Sequence, residues 1–192
     1  MSSELRYKLK TAPTFYPVTI ERLKRNLRID EDDNSQDYYL EEIIESVTNS
    51  VQTSIGRQIA RATYIAYLDD FDEALELTLG PVNKINSIKY YDTSNQQQTM
   101  SASDYILDNS ELTARLRFLQ TYSVYPERFN AIEIEFENGW EKDEIPAELK
   151  DAIVLLCTER YLNPENDPQS FGSGLRISAA ERILKKYRVQ RY

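Results

Sequence analysis

The sequence predicts an α+β protein in which a helical body, made from both ends of the chain, carries an antiparallel β insertion. Apolar residues recur with helical spacing in the first third of the chain and again near its end, whereas the middle alternates with a period of two. Such a segregation of helices and strands is typical of the α+β class. We expect an N-terminal arm over 1–16, a helical body over 17–61 and 144–192, and a β-rich insertion over 62–143.

Two helices are predicted at the start of the body. Thr19 is placed to cap a short helix over Ile20–Arg28. A long amphipathic helix is expected from about 35 to 55, and Gly56 follows it as a residue that ends a helix in the left-handed conformation. The apolar stripe of this long helix consists of Leu40, Ile43, Ile44, Val47, Val51 and Ile55.

The middle of the chain predicts five or six short strands. Turn signals such as Gly80-Pro81 and Asp92–Asn95 separate them. Short strands in succession predict a small antiparallel sheet or barrel. The expected strands are Tyr64–Leu68, Leu75–Leu79, Ile85–Tyr91, Asp104–Leu107, Thr113–Leu119 and Ala131–Phe136.

Helix returns after the strands. Pro146 suits the first helical position, and the run from there to Leu162 is apolar on nearly every side in its middle third. This pattern predicts a buried C-terminal helix. The loop over 163–177 contains prolines and glycines. Ser178 then opens a capping box, which predicts a last helix.

Composition excludes several classes of function. The chain has no histidine, so the usual catalytic triads and zinc sites are excluded. The single cysteine, Cys157, lies in an apolar run and is expected to be a buried structural residue. A net charge of −9 argues against a general nucleic-acid binder. No stretch has the length and apolarity of a signal peptide core or a membrane span.

An acidic stretch matches four ligand positions of a calcium-binding EF-hand loop. Asp30, Asp32, Asn34 and Glu41 fall at positions 1, 3, 5 and 12 of that loop. The sixth position needs glycine for a sharp turn and is Ser35 here, so calcium is the weaker interpretation. The alternative is a joint between two helices, in which the acids favour the positive end of the helix dipole and Asn34 or Ser35 is the cap.

Three carboxylates share one face of a predicted strand. Glu133, Glu135 and Glu137 alternate with apolar residues. Paired carboxylates also serve glycoside hydrolases, so a carbohydrate-active domain is one interpretation. The other is the solvated face of a half-buried strand. Nothing else marks a catalytic pair, and we expect neither an enzyme nor a cofactor.

The C-terminal segment is basic in an acidic chain. From Arg176 to Tyr192 it carries a formal charge of +5, so the remaining residues carry −14. It is either a solvated helix end or a docking segment that binds an acidic partner surface. The candidate partners are another copy of the chain and nucleic acid. The candidate partner-binding residues are Arg182, Lys185, Lys186, Arg188, Arg191 and Tyr192.

Short motifs occur along the chain in a recognisable order. They are Pro17-Val-Thr19, Leu27–Asp30, Gly56-Arg57, Leu77–Val82, Ile85–Ile88 with Tyr90 and Asp92, Asp104-Tyr105, Ile132, Ile134 and Phe136 with Gly139-Trp140, and Ile145–Lys150 with Tyr161. As an ordered set they resemble the head–tail connector (adaptor) proteins of long-tailed bacteriophages and prophages. The resemblance covers about Pro17–Leu162 and weakens beyond Asn163.

This resemblance implies a structural virion protein without catalytic residues. Such proteins form a ring, typically dodecameric, beneath the portal, extend the DNA channel and join the head to the next neck, stopper or tail protein. The implied partners are the portal protein, that downstream protein and identical copies, although the chain in solution could be a monomer. DNA would pass without sequence-specific binding, and no membrane is involved.

The implied location is the virion neck, after synthesis in the bacterial host cytoplasm. By family analogy and charge, the C-terminal segment is expected to reach the portal. A tail-completion or terminator protein of the same neck is an alternative. A calcium-binding or carbohydrate-active domain is an alternative of a different class.

Overall fold

The structure is a computed structural model that describes residues 5–71, 74–164 and 179–189. Its described residues form two compact units. The β unit draws on Met1–Pro13 and Arg61–Gly139, and the helical unit on Thr14–Ala60 and Trp140–Tyr192. Helices and antiparallel strands are both present, which confirms the predicted α+β class.

The β unit consists of antiparallel strands in two open sheets. Over the described residues the strands are β1 (Arg6–Thr11), β2 (Ala62–Leu68), β3 (Ala74–Leu77), β4 (Val82–Tyr91), β5 (Gln97–Thr99), β6 (Tyr105–Asp108), β7 (Ala114–Phe118) and β8 (Ile132–Asn138). One sheet has the order β1-β2-β8-β4-β5 and the other β3-β7-β6. Neither sheet closes on itself, so the sheet alternative is realised and the barrel alternative is not.

The core of the β unit lies between these two sheets, with β8 as the middle strand of the larger one. The period-two pattern of β8 buries Ile132, Ile134 and Phe136 completely and leaves the glutamates between them half-buried. Apolar side chains of the smaller sheet, such as Leu77 and Leu116, join the same apolar cluster. The alternation seen in the sequence therefore separates a buried face from a polar one.

All six predicted strands are present, each with bounds shifted by a few residues, but two more strands were not predicted. Strand β1 lies inside the segment predicted as an arm and pairs antiparallel with β2 at the edge of the sheet. Its sequence alternates, because Leu5, Tyr7 and Leu9 are separated by charged residues, and Leu5 and Tyr7 pack against the apolar cluster of the β unit. A short period-two signal was therefore present and was missed, although most of the strand is exposed. Strand β5 is three exposed polar residues long and carries no such signal.

The helical unit contains the described helices α1 (Ile20–Leu27), α2 (Asp37–Ile55), α3 (Ala147–Leu162) and α4 (Ala179–Tyr187). The Thr19 hydroxyl accepts a hydrogen bond from the Arg22 amide at 3.4 Å, as expected of a cap. Helix α2 ends at Gly56, whose φ of 70° suits glycine. The whole predicted stripe of α2 is buried together with the middle of α3, which confirms the amphipathic pattern of α2 and the predicted burial of α3.

Details at the helix starts differ from the predictions. Helix α2 begins at Asp37, and the preceding Gln36 makes no side-chain capping bond. Neither Asn34 nor Ser35 is the cap, because the Asn34 side chain accepts a hydrogen bond from Lys24 instead. Pro146 immediately precedes α3 rather than opening it. The predicted capping box at Ser178 and the loop from 165 onward lie outside the described residues.

Candidate interaction surfaces

The acidic joint between α1 and α2 is organised around a buried lysine. Lys24 is 2% exposed, and its Nζ lies 2.6 Å from Asp37 Oδ1. The same ammonium donates to Asn34 Oδ1 at 3.1 Å and to the Glu31 carbonyl at 3.2 Å. A buried ammonium is costly unless oxygen partners compensate it. Lys24 therefore supplies the positive charge of the joint from within the chain.

The four residues that match a calcium loop do not form one ligand cluster. Asp30 Oδ1 accepts a hydrogen bond from the Asp32 amide at 3.2 Å, and Asn34 accepts one from Lys24. Glu41 lies on α2, where it lines a groove described below. Within the described residues, no three histidine, cysteine, aspartate or glutamate side chains meet as potential metal ligands. This arrangement supports the interpretation as a joint between helices.

Two of the three glutamates of β8 form ion pairs with lysines of β1 and β4 in the same sheet. Lys10 Nζ lies 2.6 Å from Glu135 Oε2, and Lys84 Nζ lies 2.9 Å from Glu137 Oε1. The hydrogen bond from Lys10 lowers the pKa of Glu135. A glycosidase needs one carboxyl group whose pKa is raised so that it can act as an acid. The pKa of Glu135 is lowered instead, as expected of a carboxylate in a structural ion pair.

The predicted partner-binding residues fall into three groups. Arg182 and Lys185 are exposed on α4 and make no ion pair with another described residue. Lys186 contacts Glu148 Oε2 at 2.7 Å, and Arg188 donates from Nε to the Ser54 carbonyl at 3.1 Å, so both are engaged within the helical unit. Arg191 and Tyr192 lie outside the described residues.

Helix α4 is docked onto the helical unit. Its Leu184 is 5% exposed and belongs to the apolar core of that unit. The Tyr187 hydroxyl donates to Glu148 Oε1 at 2.7 Å, and its ring meets Trp140 edge to face at 6.2 Å between centroids. Burial, followed by this hydrogen bond to a carboxylate, raises the pKa of Tyr187 to about 12. The exposed charges of α4 are therefore held on a fixed helix.

A groove of about 460 Å³ lies beside the first half of α2. Val18 and Ile44, both 2% exposed, are among the apolar residues that line it. We use the name acidic groove for five exposed residues that line it, which are Tyr16, Tyr38, Glu41, Glu42 and Glu45.

Hydrogen bonds between tyrosine and glutamate shape the acidic groove. Burial, followed by the carboxylate of Glu45, raises the pKa of Tyr16. A hydrogen bond donated to Glu42 raises the pKa of Tyr38. The three glutamates of the groove make no ion pair with another described residue, and Lys142 is the cation that also lines it. The groove thus combines aromatic rings with an excess of negative charge.

The acidic groove was not predicted from the sequence. A signal was present on α2, because Tyr38, Glu41, Glu42 and Glu45 recur at positions i, i+3, i+4 and i+7 on the polar side of the helix. Tyr16 comes from the segment predicted as an arm, and only the tertiary fold places it against α2.

The remaining candidate groups have structural roles. Cys157 is completely buried, as predicted, and burial raises the pKa of its thiol to about 12. Such a thiol is not a nucleophile near neutral pH. None of the helices described here combines the length and apolarity that crossing a membrane requires.

Comparison with solved structures places this fold among known proteins. A chain from the neck of an empty gene transfer agent (GTA) particle, computed with C6 symmetry, matches with a TM-score of 0.78 and 14% identity, covering 97% of both chains. A chain from the virion of a native GTA particle matches with a TM-score of 0.78 and 15% identity, covering 97% of this chain and 96% of its own. A third, from the neck of a native GTA particle computed with C12 symmetry, gives a TM-score of 0.59 and 14% identity over 96% and 97% of the two chains. At such identities these matches show the fold.

Sequence comparison adds the family. No curated protein matches the chain significantly. The family model described as "Phage gp6-like head-tail connector protein" matches residues 17–115, which is more than half of the chain. The protein therefore belongs to the phage gp6-like head–tail connector family and is a structural head–tail connector.

Proposed function

We propose that this connector forms a ring in the virion neck, beneath the portal, where it extends the DNA channel and joins head to tail. The family match over residues 17–115 carries this proposal. The protein would be made in the host cytoplasm, act by binding alone and catalyse no reaction. The lowered pKa of Glu135 and the raised pKa of the Cys157 thiol support the last point, since neither shift suits catalysis at these residues.

The symmetry of the similar structures supports a ring. Two of them come from necks computed with C6 and C12 symmetry. A closed ring of identical subunits needs two different complementary surfaces on each copy, so that each subunit binds its neighbour head to tail. A dodecamer satisfies both symmetries. The net charge of −9 supports passage of DNA without specific binding, because an acidic lumen repels phosphates.

The portal contact is assigned to the residues that follow α4. Lys186 and Arg188 are engaged within the helical unit, so they are less available to a partner than the sequence analysis expected. Arg191 and Tyr192 come four and five residues after Tyr187, the last residue of α4. We therefore assign the contact with the portal to residues 190–192.

The test uses purified connector imaged by negative stain with and without its portal protein. We expect rings on the portal and none on a control protein of similar size and charge. A variant that lacks residues 190–192 should lose portal binding yet keep the fluorescence of Trp140, which reports the folded helical unit. This deletion is preferable to removal of all of 178–192, which would take the buried Leu184 out of the core. A connector that forms no ring with its portal, or a ring with a basic lumen, contradicts the proposal.

A further inference from the structure

The helical unit carries two charged surfaces that make no ion pair within the part of the chain that the structure describes. One is the acidic groove beside α2. The other, which we call the α4 basic pair, consists of Arg182 and Lys185 on the exposed side of α4. Neither these two cations nor the glutamates of the groove make an ion pair with another described residue. Opposite charges that do not meet within one subunit are free to meet between subunits.

The acidic groove suits lysine and arginine side chains. Tyr38 is 75% exposed and Tyr16 is 43% exposed, so their rings offer flat apolar surface next to the carboxylates. Lysine and arginine pack their aliphatic stems on such rings and place the charged group on a nearby carboxylate or over the ring face. A groove with both elements binds a basic helix better than it binds an acidic or purely apolar one.

The α4 basic pair is presented rigidly. Ala180 and Leu184 face the core, which leaves Arg182 and Lys185, three residues apart, on the outer side of the helix. The end of α4 is held by a hydrogen bond from the Val189 amide to the Ile55 carbonyl at 2.8 Å. A fixed helix loses less conformational entropy on binding than a free tail does.

We propose that the α4 basic pair of one copy binds the acidic groove of the next copy in the ring. This inference rests on the proposed ring and names the two surfaces that join its subunits. The groove and the pair lie on different elements of one unit, so the contact is heterologous and repeats from copy to copy. Such a contact closes into a ring when the rotation between neighbours divides a full turn.

The contact is ionic and exposed, so it depends on salt. The Debye length is about 10 Å at 0.1 M salt and about 3 Å at 1 M, and assembly should weaken over that range. Reversing both charges of one surface replaces attraction by repulsion, which should weaken association on the order of tenfold or more.

The test is a charge-swap experiment on the full chain. The groove variant carries Glu41→Lys and Glu42→Lys, the α4 variant carries Arg182→Glu and Lys185→Glu, and ring formation is scored on the portal by negative stain. All four residues are exposed, so both variants should fold. Each variant alone should lose rings, and an equimolar mixture should regain them, because each reversed surface then finds a reversed partner on its neighbour.

The matched control is Arg115→Glu with Arg117→Glu, two exposed residues of β7, which should form rings like the wild type. If both swapped variants form rings as the wild type does, or if the folded mixture fails to regain them, the inference is wrong. If the α4 variant loses rings while the groove variant keeps them, α4 binds the portal and not a second copy, and the inference is also wrong. A wild type that never forms a ring overturns the proposed function itself.

Disulfide trapping gives an independent readout. Glu42→Cys combined with Lys185→Cys should yield a ladder of dimers, trimers and larger species on oxidation, whereas Arg115→Cys combined with Lys185→Cys should not. The native Cys157 is buried and should not react. A ladder that stops at dimers would indicate a two-fold contact and contradict the proposal. If assembled rings give no ladder, the groove does not lie at the interface between copies.

Discussion

Replacing Lys24 by methionine tests whether a buried ammonium holds the joint between α1 and α2. Methionine keeps most of the apolar stem and removes the contacts with Asp37, Asn34 and Glu31. Breaking a buried ion pair by removing one partner costs about 3–5 kcal/mol. The Asp37 side chain is 32% exposed, so water can solvate its carboxylate after Lys24 is removed and reduce this cost. We expect the free energy of unfolding to fall by about 2–3 kcal/mol.

The measurement is urea unfolding followed by Trp140 fluorescence. Trp140 is the only tryptophan of the chain and packs with the core of the helical unit, so its signal separates that unit from the β unit. Arg25→Met is the matched control, because Arg25 is the next residue of α1 and forms an exposed pair with Glu31 at 3.5 Å. An exposed pair contributes about 0.2–1 kcal/mol.

A loss for Lys24→Met no larger than that for Arg25→Met would refute the reasoning. A double-mutant cycle with Asp37→Asn isolates the pair itself, and the two substitutions together should cost less than the sum of each alone. Calcium at millimolar concentration should leave the unfolding curve of the wild type unchanged, because the Lys24 ammonium already occupies the oxygen of Asn34.

Three further predictions concern single groups. Raising the pH from 10 to 12 should destabilise the helical unit, because the unfolded chain loses the Tyr187 proton near 10.0 whereas the folded pKa is about 12; Tyr187→Phe should reduce this loss in urea titrations across that range. Gly80→Ala should cost about 1–3 kcal/mol or prevent folding of the β unit, because the new Cβ would clash with the Leu112 carbonyl oxygen. Circular dichroism measures this loss. Cys157 should react with an aromatic disulfide reagent only as the helical unit unfolds.

A specific result would contradict each of these three predictions. If Tyr187→Phe loses as much stability between pH 10 and 12 as the wild type does, Tyr187 is not the group whose deprotonation destabilises the fold. Gly56→Ala is the comparison for Gly80, because its Cβ would meet only a Val189 methyl at 3.3 Å, and the φ of 70° should cost about 1 kcal/mol. Equal effects at the two glycines would contradict the steric account. Rapid reaction of the folded thiol would contradict the burial of Cys157.

Periodicity made the fold class and most elements predictable. The stripe of α2 repeats every 3.6 residues, and β8 alternates strictly, so each pattern identifies its own buried face. Strand β1 was missed although Leu5, Tyr7 and Leu9 alternate with charged residues, because the pattern is short and most of this edge strand is exposed. The burial of Lys24 was not predictable either, since local sequence gives no sign that three oxygens converge on its ammonium.

The candidate surfaces were harder to predict than the fold. The sequence showed a basic C-terminal segment, but not that Lys186 would pair with Glu148, 38 residues earlier in the chain. The acidic groove joins Tyr16 to a stretch of α2 more than twenty residues away. Charge counts along a chain locate ionic groups, and only tertiary contacts decide which of them remain available to a partner.

The discontinuous helical core has a consequence for synthesis on the ribosome. The described strands of the β unit are complete once residue 139 has been made, whereas α1 and α2 must wait for α3 and α4 to cover their apolar side. The stripe of α2 therefore stays exposed to chaperones during translation of the whole β unit. The basic pair lies on the last of these helices. Under the proposed contact between neighbours, an unfinished chain lacks one of the two surfaces, so the order of translation would prevent premature polymerisation.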